Sequence, residues 1–325
     1  MQTVTSQFIQ GKKVLLRYDI DVALELIVNS SEFRVKEDFK LKAGLDTLKL
    51  CLENASKVII IGHLGRPEGK VVSELSVEPV RKWFVSQGYN LEILENLRFD
   101  PREESCDVEY AKELAKKGDV YVNEAFSSYR PAASTTVLPT LMPYAAGLHF
   151  AEEVEVLLQV RNNPKKPFVA IMGGAKVKDK LPVISVLAQK ADAVLVGGKL
   201  GAEIKEQNLR LPKNVMVGKG SDTGLDIAEE TTSAWSRPIS KAAEIIWNGP
   251  LGKFENPGND QTKKVAEMIL DSGATVVIGG GDTVAALNHY QLLEKAQKKA
   301  LVSVGGGAML KLLSDGTLPT IEALT

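Results

Sequence analysis

The sequence predicts an α/β fold of mostly parallel sheets, divided between two domains, and three observations carry that reading. Short β-branched runs recur along the chain, each followed by a turn signal and an amphipathic stretch, which is the rhythm of βα units. The length of 325 residues exceeds ordinary single-domain size, so two domains of about 150 residues each are expected. The strand ends also change character midway. Up to about Phe150 they carry Arg17, Asp19, His63, Arg66, Arg98 and Arg130, whereas after Pro167 nearly every one runs into a glycine pair or triplet.

The strand-forming runs are VLLRYD, VIIIGHLG, LEILENLR and VYVNEAF in the first half, then FVAIMGG, AVLVGG, IIWNGP, TVVIGGG and LVSVGGG. Helical segments fit between them at Phe39 to Asn54, Val108 to Lys117, Lys180 to Lys190 and Gln261 to Ser272. The domain boundary falls between Ala146 and Pro167, where GLHFAEEVEVLLQV reads as a connecting helix and the polar RNNPKKP precedes a new strand. Antiparallel all-β and all-α folds fit this order poorly.

Composition narrows the function classes. A net charge of -1, with no cluster of aromatics among lysines or arginines, gives no general attraction to a polyanion, so nucleic acid is not expected as a partner. No apolar run reaches the length needed to cross a bilayer and the N-terminus lacks an apolar signal core, so a cytoplasmic protein is expected, with no membrane partner. Cys51 and Cys106 have no metal-ligand spacing and read as reduced thiols.

In an open parallel sheet, ligands sit outside the carboxyl ends of the strands, where the following helices present free N–H groups. Five glycine-terminated strands at such an edge suggest a nucleotide, because a residue without Cβ lets backbone approach a phosphate or a base closely. Neither standard phosphate motif is present: GGAKVKDK lacks the GxxxxGK[ST] spacing, and GGGDTVAA and GGGAMLKL lack the third glycine of GxGxxG. Within GGAKVKDK, Lys176 and Lys180 are four apart at a strand-to-helix junction, which suits phosphate; a solvated lysine face is the alternative. Asp282 follows a glycine triplet, where it could anchor Mg²⁺ beside phosphates or cap a helix. In the first half, Arg17, His63, Arg66, Arg98 and Arg130 all fall at or just after strands, so one sheet edge would gather them, and such a cluster asks for a small, multiply charged anion.

Together these segments resemble the phosphoglycerate kinase family, in order and over nearly the whole chain. The matching stretches are LLRYDIDVAL, VIIIGHLGRPEGK, LENLRFDPREE, GDVYVNEAF with YRPAAST, FVAIMGGAKVKDK, WNGPLGKFE, VVIGGGDT and SVGGGAMLKLL. The resemblance implies two Rossmann-like three-layer domains facing a cleft and joined by a hinge helix. Residues 1–150 would bind phosphoglycerate and 151–308 would bind Mg-nucleotide, with 309–325 packing back on the first domain. It implies reversible phosphoryl transfer between 1,3-bisphosphoglycerate and ADP, giving 3-phosphoglycerate and ATP, by a monomer with Mg²⁺ as cofactor. Carried over by position, Asp19, Ile20, Asp21, Lys40, His63, Leu64, Gly65, Arg66, Arg98 and Arg130 would hold the acid, with Arg17 adding to the basic patch. Gly173, Gly174, Gly197, Gly198, Asn248, Pro250 and Glu255 would shape the adenosine site. Lys176 and Lys180 would serve the phosphates and Asp282 the metal. Gly279, Gly280, Gly281, Thr283 and Gly305 to Gly307 would surround the transferring group, so that Lys180, Lys40, Arg17, Gly281 and Gly306 are the expected catalytic set.

The chain departs from the family pattern at several of these positions. Lys40 stands where the family has an arginine, exchanging a planar bidentate donor for a point charge. Asp21 replaces an asparagine, and Tyr129 and Ala132 replace histidines. Gly197 to Lys199 reads GGK instead of a glycine triplet, DIAEET begins at Asp226 in place of a Gly-Pro turn, and Met309 replaces a small polar residue. Material is also missing between Asn90 and Leu94 and between Ala202 and Asp226. These departures leave open a binding protein that has lost turnover, or a kinase for another acid.

Overall fold

The computed structural model describes residues 1–174 and 177–325. The chain divides into two compact units, Met1–Val154 with Thr317–Thr325, and Glu155–Gly316. The expected bounds at 151 and 309 fall inside two continuous helices, Leu148–Asn162 and Gly306–Asp315. The units part at 154/155 and 316/317 instead, because the helix Gly306–Asp315 stays with the second unit up to the left-handed Gly316 that ends it.

The first unit is built on β1 (Lys13–Arg17), the hairpin β2 (Leu24–Leu26) and β3 (Phe33–Val35), then β4 (Lys57–Ile61), β5 (Glu92–Ile93), β6 (Val120–Asn123) and β7 (Tyr144–Ala146). Its main sheet is wholly parallel in the order β5-β4-β1-β6-β7. The chain therefore starts at the centre, winds outward to β5, then returns to β6, so the direction of winding reverses between β1 and β6. The central strands KVLLR, KVIII and VYVN are buried on both faces, which is why they read as unbroken apolar runs. Val14, Leu16, Ile60, Val122, Leu48 and Phe84 form one core cluster around them.

The single helix expected from Phe39 to Asn54 is two, Phe39–Ala43 and Leu45–Asn54. The Tyr18 hydroxyl donates to the Leu41 carbonyl at 2.6 Å, an acceptor that a continuous helix would offer to the Leu45 N–H. The break falls at Gly44, where a Cβ would lie 2.6 Å from the Tyr18 ring. A tertiary contact thus overrides a local helical pattern.

The second unit contains β8 (Phe168–Met172), β9 (Ala193–Val196), β10 (Val215–Val217), β11 (Glu244–Asn248), β12 (Thr275–Gly279) and β13 (Ala300–Ser303). They form one parallel sheet in the order β10-β9-β8-β11-β12-β13. Counted within the unit this is 3-2-1-4-5-6, the dinucleotide-fold order, with its reversal between β8 and β11. The strands that the sequence pattern missed, β2, β3, β7 and β10, are three residues long, too short to show a period.

The helix Leu148–Asn162 begins in a buried polar nest in the first unit. Glu124, just past β6, accepts the His149 N–H at 3.2 Å and the Phe150 N–H at 3.4 Å, while Thr47 Oγ1 accepts the Leu148 N–H at 2.8 Å. These acceptors satisfy the free amides of the first turn. One turn on, His149 Nε2 pairs with Glu153 Oε1 at 3.0 Å. Burial pushes the Glu124 carboxyl up to about 8, against the pull of His149 and the two amides. Burial would push His149 down, but Glu153, Glu124 and Glu152 outweigh it and raise the imidazole to about 9. Both folded-state values lie above the unfolded ones, so both groups hold protons in the fold that the unfolded chain releases. Their stabilisation is complete at low pH and drains away as pH rises, from 4.5 to about 8 for Glu124 and from 6.5 to about 9 for His149. Urea unfolding followed by circular dichroism is expected to show a loss of about 4 kcal/mol between pH 6.5 and pH 9, and a shallower slope in His149→Gln. A pH-independent midpoint would show that the nest does not titrate.

Candidate functional site

At the carboxyl edge of the first sheet, the ends of β1, β4 and β6 carry an interlocked polar group. Arg17 is 1% exposed. Its Nε donates to Ser134 Oγ at 3.0 Å, its Nη1 to the Tyr18 carbonyl at 3.0 Å and its Nη2 to His63 Nδ1 at 2.7 Å. A guanidinium can only donate, so Nδ1 accepts and the neutral imidazole carries its proton on Nε2, which lies 3.8 Å from Asp21 Oδ2. Burial, followed by the charges of Arg17, Arg98 and Lys40, pushes His63 well below the ordinary histidine value. Asp21 Oδ1 accepts the Gly65 N–H at 2.8 Å, closing the loop after β4 onto the loop after β1.

Lys40 reaches this edge from the helix Phe39–Ala43. Its ammonium meets Asp19 Oδ1 at 3.4 Å and donates to Ser127 Oγ at 3.2 Å, and the Ser127 hydroxyl donates to Asp19 Oδ2. Burial would push Lys40 down, but Asp19, Asp21 and Glu153 raise it, so the ammonium is charged. Arg98 Nη1 donates to the Gly65 carbonyl at 2.9 Å and its Nε pairs with Glu104 at 3.2 Å. The charge of Asp21 thus lies within the field of both Lys40 and Arg98. Arg66 and Arg130 are exposed, and neither has an ion-pair partner among the described residues.

In the second unit the ends of β8, β11, β12 and β13 lock together through backbone. The Gly173 N–H donates to the Asn248 carbonyl at 2.9 Å and the Gly174 N–H to the Pro250 carbonyl at 2.8 Å. A Cβ on Gly173 would lie 2.2 Å from the Pro250 carbonyl oxygen, and one on Gly306 would lie 2.5 Å from Gly280 Cα. Lys180, 8% exposed in the helix Val177–Ala188, places its ammonium on the carbonyls of Gly173 and Asn248, at the reversal point of the sheet. Asn248 Nδ2 donates to the Gly279 carbonyl at 2.9 Å. The helices Gly198–Glu206, Gly281–His289 and Gly306–Asp315 all start at this edge, and their first-turn amides give it positive potential.

Several expected residues take a different part from the one expected. Arg17 is not a free charge of the basic patch, because its donors are spent inside the fold. Ile20 and Leu64 are fully buried, so neither side chain is open to a ligand. Thr283 is buried too: its hydroxyl accepts the Gly249 N–H at 2.7 Å and donates to the Gly279 carbonyl at 2.9 Å, tying two loops together. Asp282 is exposed in the first turn of its helix, whose N-cap is Gly280, so the capping role is not found. Glu255 is exposed, and Gly197, Gly198, Gly281, Gly305 and Gly307 lie at the strand-to-helix turns. Lys176 lies outside the described residues. Two departures are structurally accommodated. Met309 Sδ fills the space over Gly279, 2.1 Å from where a Cβ would stand, and Asp226 accepts the N–H groups of Ile227 at 2.8 Å and Gln261 at 3.1 Å.

Pattern reading missed Ser127, Ser134, Glu103 and Asn96. Asn96 holds the loop after β4: its Nδ2 donates to the Leu64 carbonyl at 2.7 Å and its Oδ1 accepts the Leu64 N–H at 3.2 Å. All four stand beside motif residues already singled out, within two to five positions of Arg98 or Arg130. That proximity was the available signal.

Fold and site define an α/β protein with one cation-rimmed and one glycine-rimmed sheet edge, both suited to phosphate-bearing anions. The family model described as phosphoglycerate kinase matches residues 4–88, 84–219 and 202–316. The phosphoglycerate kinase of Herpetosiphon aurantiacus is 35% identical over 396 aligned positions, covering 99% of this chain and 98% of that protein. That of Roseiflexus castenholzii is 33% identical over 97% of this chain and 96% of that one. Among solved structures, phosphoglycerate kinase from Coxiella burnetii superposes with a TM-score of 0.80 at 27% identity, covering 97% and 96% of the two chains. The enzyme from Pyrococcus horikoshii OT3 superposes with a TM-score of 0.84 at 24% identity, covering 100% of this chain and 98% of the other, a likeness of fold. This chain belongs to the phosphoglycerate kinase family.

A depressed His63 stays neutral while the unfolded chain takes up a proton, so it weakens the fold only as pH falls below the ordinary value of 6.5. The His63 ring resonances are expected to stay unchanged as an NMR titration passes through the ordinary histidine range. A midpoint near 6.5 would mean that the imidazole is not held by Arg17 in solution.

Proposed function

We propose that this chain catalyses the reversible transfer of a phosphoryl group between 1,3-bisphosphoglycerate and Mg-ADP, giving 3-phosphoglycerate and ATP. Family membership across the chain supports a phosphotransferase. The observation that carries the substrate reading is the cationic edge of the first unit, where Arg98 and Lys40 act on His63, whose Nε2–H faces Asp21; the exposed Arg66 and Arg130 join this edge in the proposal. Mg²⁺, a monomeric state and a cytoplasmic setting belong to the same proposal.

Phosphoryl transfer needs in-line positioning and compensation of oxygen charge more than it needs a base, and no nucleophilic side chain is required. A phosphate oxygen of ADP attacks the acyl phosphate, and the carboxylate of phosphoglycerate leaves. Arg66, Arg98 and Arg130 would hold the acid by charge, with His63 and Lys40 as directional donors. The Lys180 ammonium and the helix starts at Gly281 and Gly306 would compensate charge on the transferring oxygens, and Gly173, Gly174, Gly197, Gly198, Asn248, Pro250 and Glu255 would shape the nucleotide site. Asp282 fits a metal role: its carboxylate is exposed, has no ion-pair partner among the described residues, and is a hard oxygen donor of the kind Mg²⁺ takes. Among the described residues no group of three or more His, Cys, Asp or Glu could hold a metal, so nucleotide oxygens would supply most of its ligands. When bound, the ion would supply neutralisation of phosphate charge.

Asp21 brings a negative charge to an anion site, but the Gly65 N–H, Lys40 and Arg98 all act on it, which supports turnover over a binding protein that has lost it. A coupled assay with 3-phosphoglycerate and Mg-ATP is expected to show turnover, and Lys180→Ala is expected to lose about 100-fold or more in kcat. Absence of turnover in the wild type, with ATP binding still seen by calorimetry, would reject the proposal. Lys40→Arg is expected to raise kcat/KM roughly tenfold, the value of one added charge-assisted hydrogen bond. An unchanged or lower value in the same assay would show that Asp19 and Ser127 have adapted the site to lysine.

A further inference from the structure

The burial of Arg17 raises a question that its direct partners do not answer. A guanidinium removed from water needs a compensating negative charge, yet Ser134, the Tyr18 carbonyl and His63 are all neutral. Among the described residues no carboxylate lies within ion-pair distance of Arg17. The negative charge stands one residue further away. Glu103, itself 1% exposed, accepts the Ser134 hydroxyl at 2.5 Å on Oε1 and the Ser134 N–H at 3.1 Å on Oε2.

This arrangement has a single polarity. Ser134 has one hydroxyl proton, and the carboxylate takes it, which turns the lone pairs of Oγ towards Arg17 Nε–H. Arg17 cannot accept, so its Nη2–H points at Nδ1, and the proton of His63 is left on Nε2. Three buried side chains therefore decide which face of one imidazole donates. We propose that Glu103 and Ser134 are positioning residues of the acid-binding half of the site: they anchor Arg17 so that it holds His63 as an Nε2–H donor for an anionic substrate oxygen. The substrate named here rests on the proposed function, whereas the tautomer does not. A relay of this kind resembles the outer partners that fix the ring orientation and tautomer of liganding histidines elsewhere.

The test combines ¹⁵N NMR of His63 with steady-state kinetics on the wild type, Ser134→Ala and the isosteric Glu103→Gln. In the wild type, His63 is expected as the single Nε2–H tautomer, with a coupling across the Arg17 Nη2 to Nδ1 hydrogen bond. In both variants the tautomers are expected to mix. The KM for 3-phosphoglycerate should rise about tenfold, the value of one hydrogen bond, while the KM for ATP stays within about twofold. A role confined to folding would lower the melting temperature and leave both the tautomer and the ratio of the two KM values unchanged, and that result overturns the proposal. An Nδ1–H tautomer in the wild type overturns it without any variant. A wild type that turns nothing over, but whose His63 tautomer depends on Ser134, would keep the relay and reject the proposed function instead.

Discussion

The structure depends on holding cations out of water at the carboxyl ends of parallel strands. Arg17 closes the first sheet where its winding reverses, between β1 and β6, and Lys180 closes the second at its own reversal, between β8 and β11. Each is almost fully buried, and each is made tolerable by hydrogen-bond acceptors: Ser134, the Tyr18 carbonyl and His63 for Arg17, and the carbonyls of Gly173 and Asn248 for Lys180. A parallel sheet covered by helices on both faces leaves its reversal point as the natural opening for a ligand.

The two units solve the same topological problem with different side chains. Glycines in the second unit let loop backbones pack against one another, as at Gly173 against Pro250 and Gly280 against Gly306. That edge therefore offers amides and helix starts. The first unit keeps side chains at the strand ends, and its edge carries His63, Lys40 and Arg98. Small acids need direction and charge; nucleotides need close backbone approach.

The departures from the family pattern are absorbed by neighbours. The ammonium of Lys40 is shared between Asp19 and Ser127, so a point charge is given a fixed position that its flexible stem would not provide. Asp21 uses one oxygen to fasten the loop that carries His63, and its charge is balanced by Lys40 and Arg98. Asp226 binds two backbone amides, which makes it a loop fastener at the start of the helix Gln261–Asp271. The alignment with the Herpetosiphon aurantiacus relative runs over 396 positions, so that protein carries segments this 325-residue chain lacks. Both sheets keep their central strands.

The sequence by itself determined the α/β class, the nine strands that follow its apolar runs, the connecting helix and the family, because each rests on local patterns: apolar runs bounded by turns, and motifs whose residues are contiguous. It also placed His63 and Arg98 at one edge and the glycines at the other, since strand ends in a parallel sheet fall on one side whatever the tertiary detail. Only the tertiary structure decided which of those charges remain available. Arg17 and Arg66 look alike in sequence, yet one is sealed by Ser134, 117 positions away, and the other is exposed. The helix break at Gly44 and the part played by Glu103 were settled the same way. Burial and hydrogen-bond partnership are properties of residues distant along the chain, and no window of sequence contains both partners.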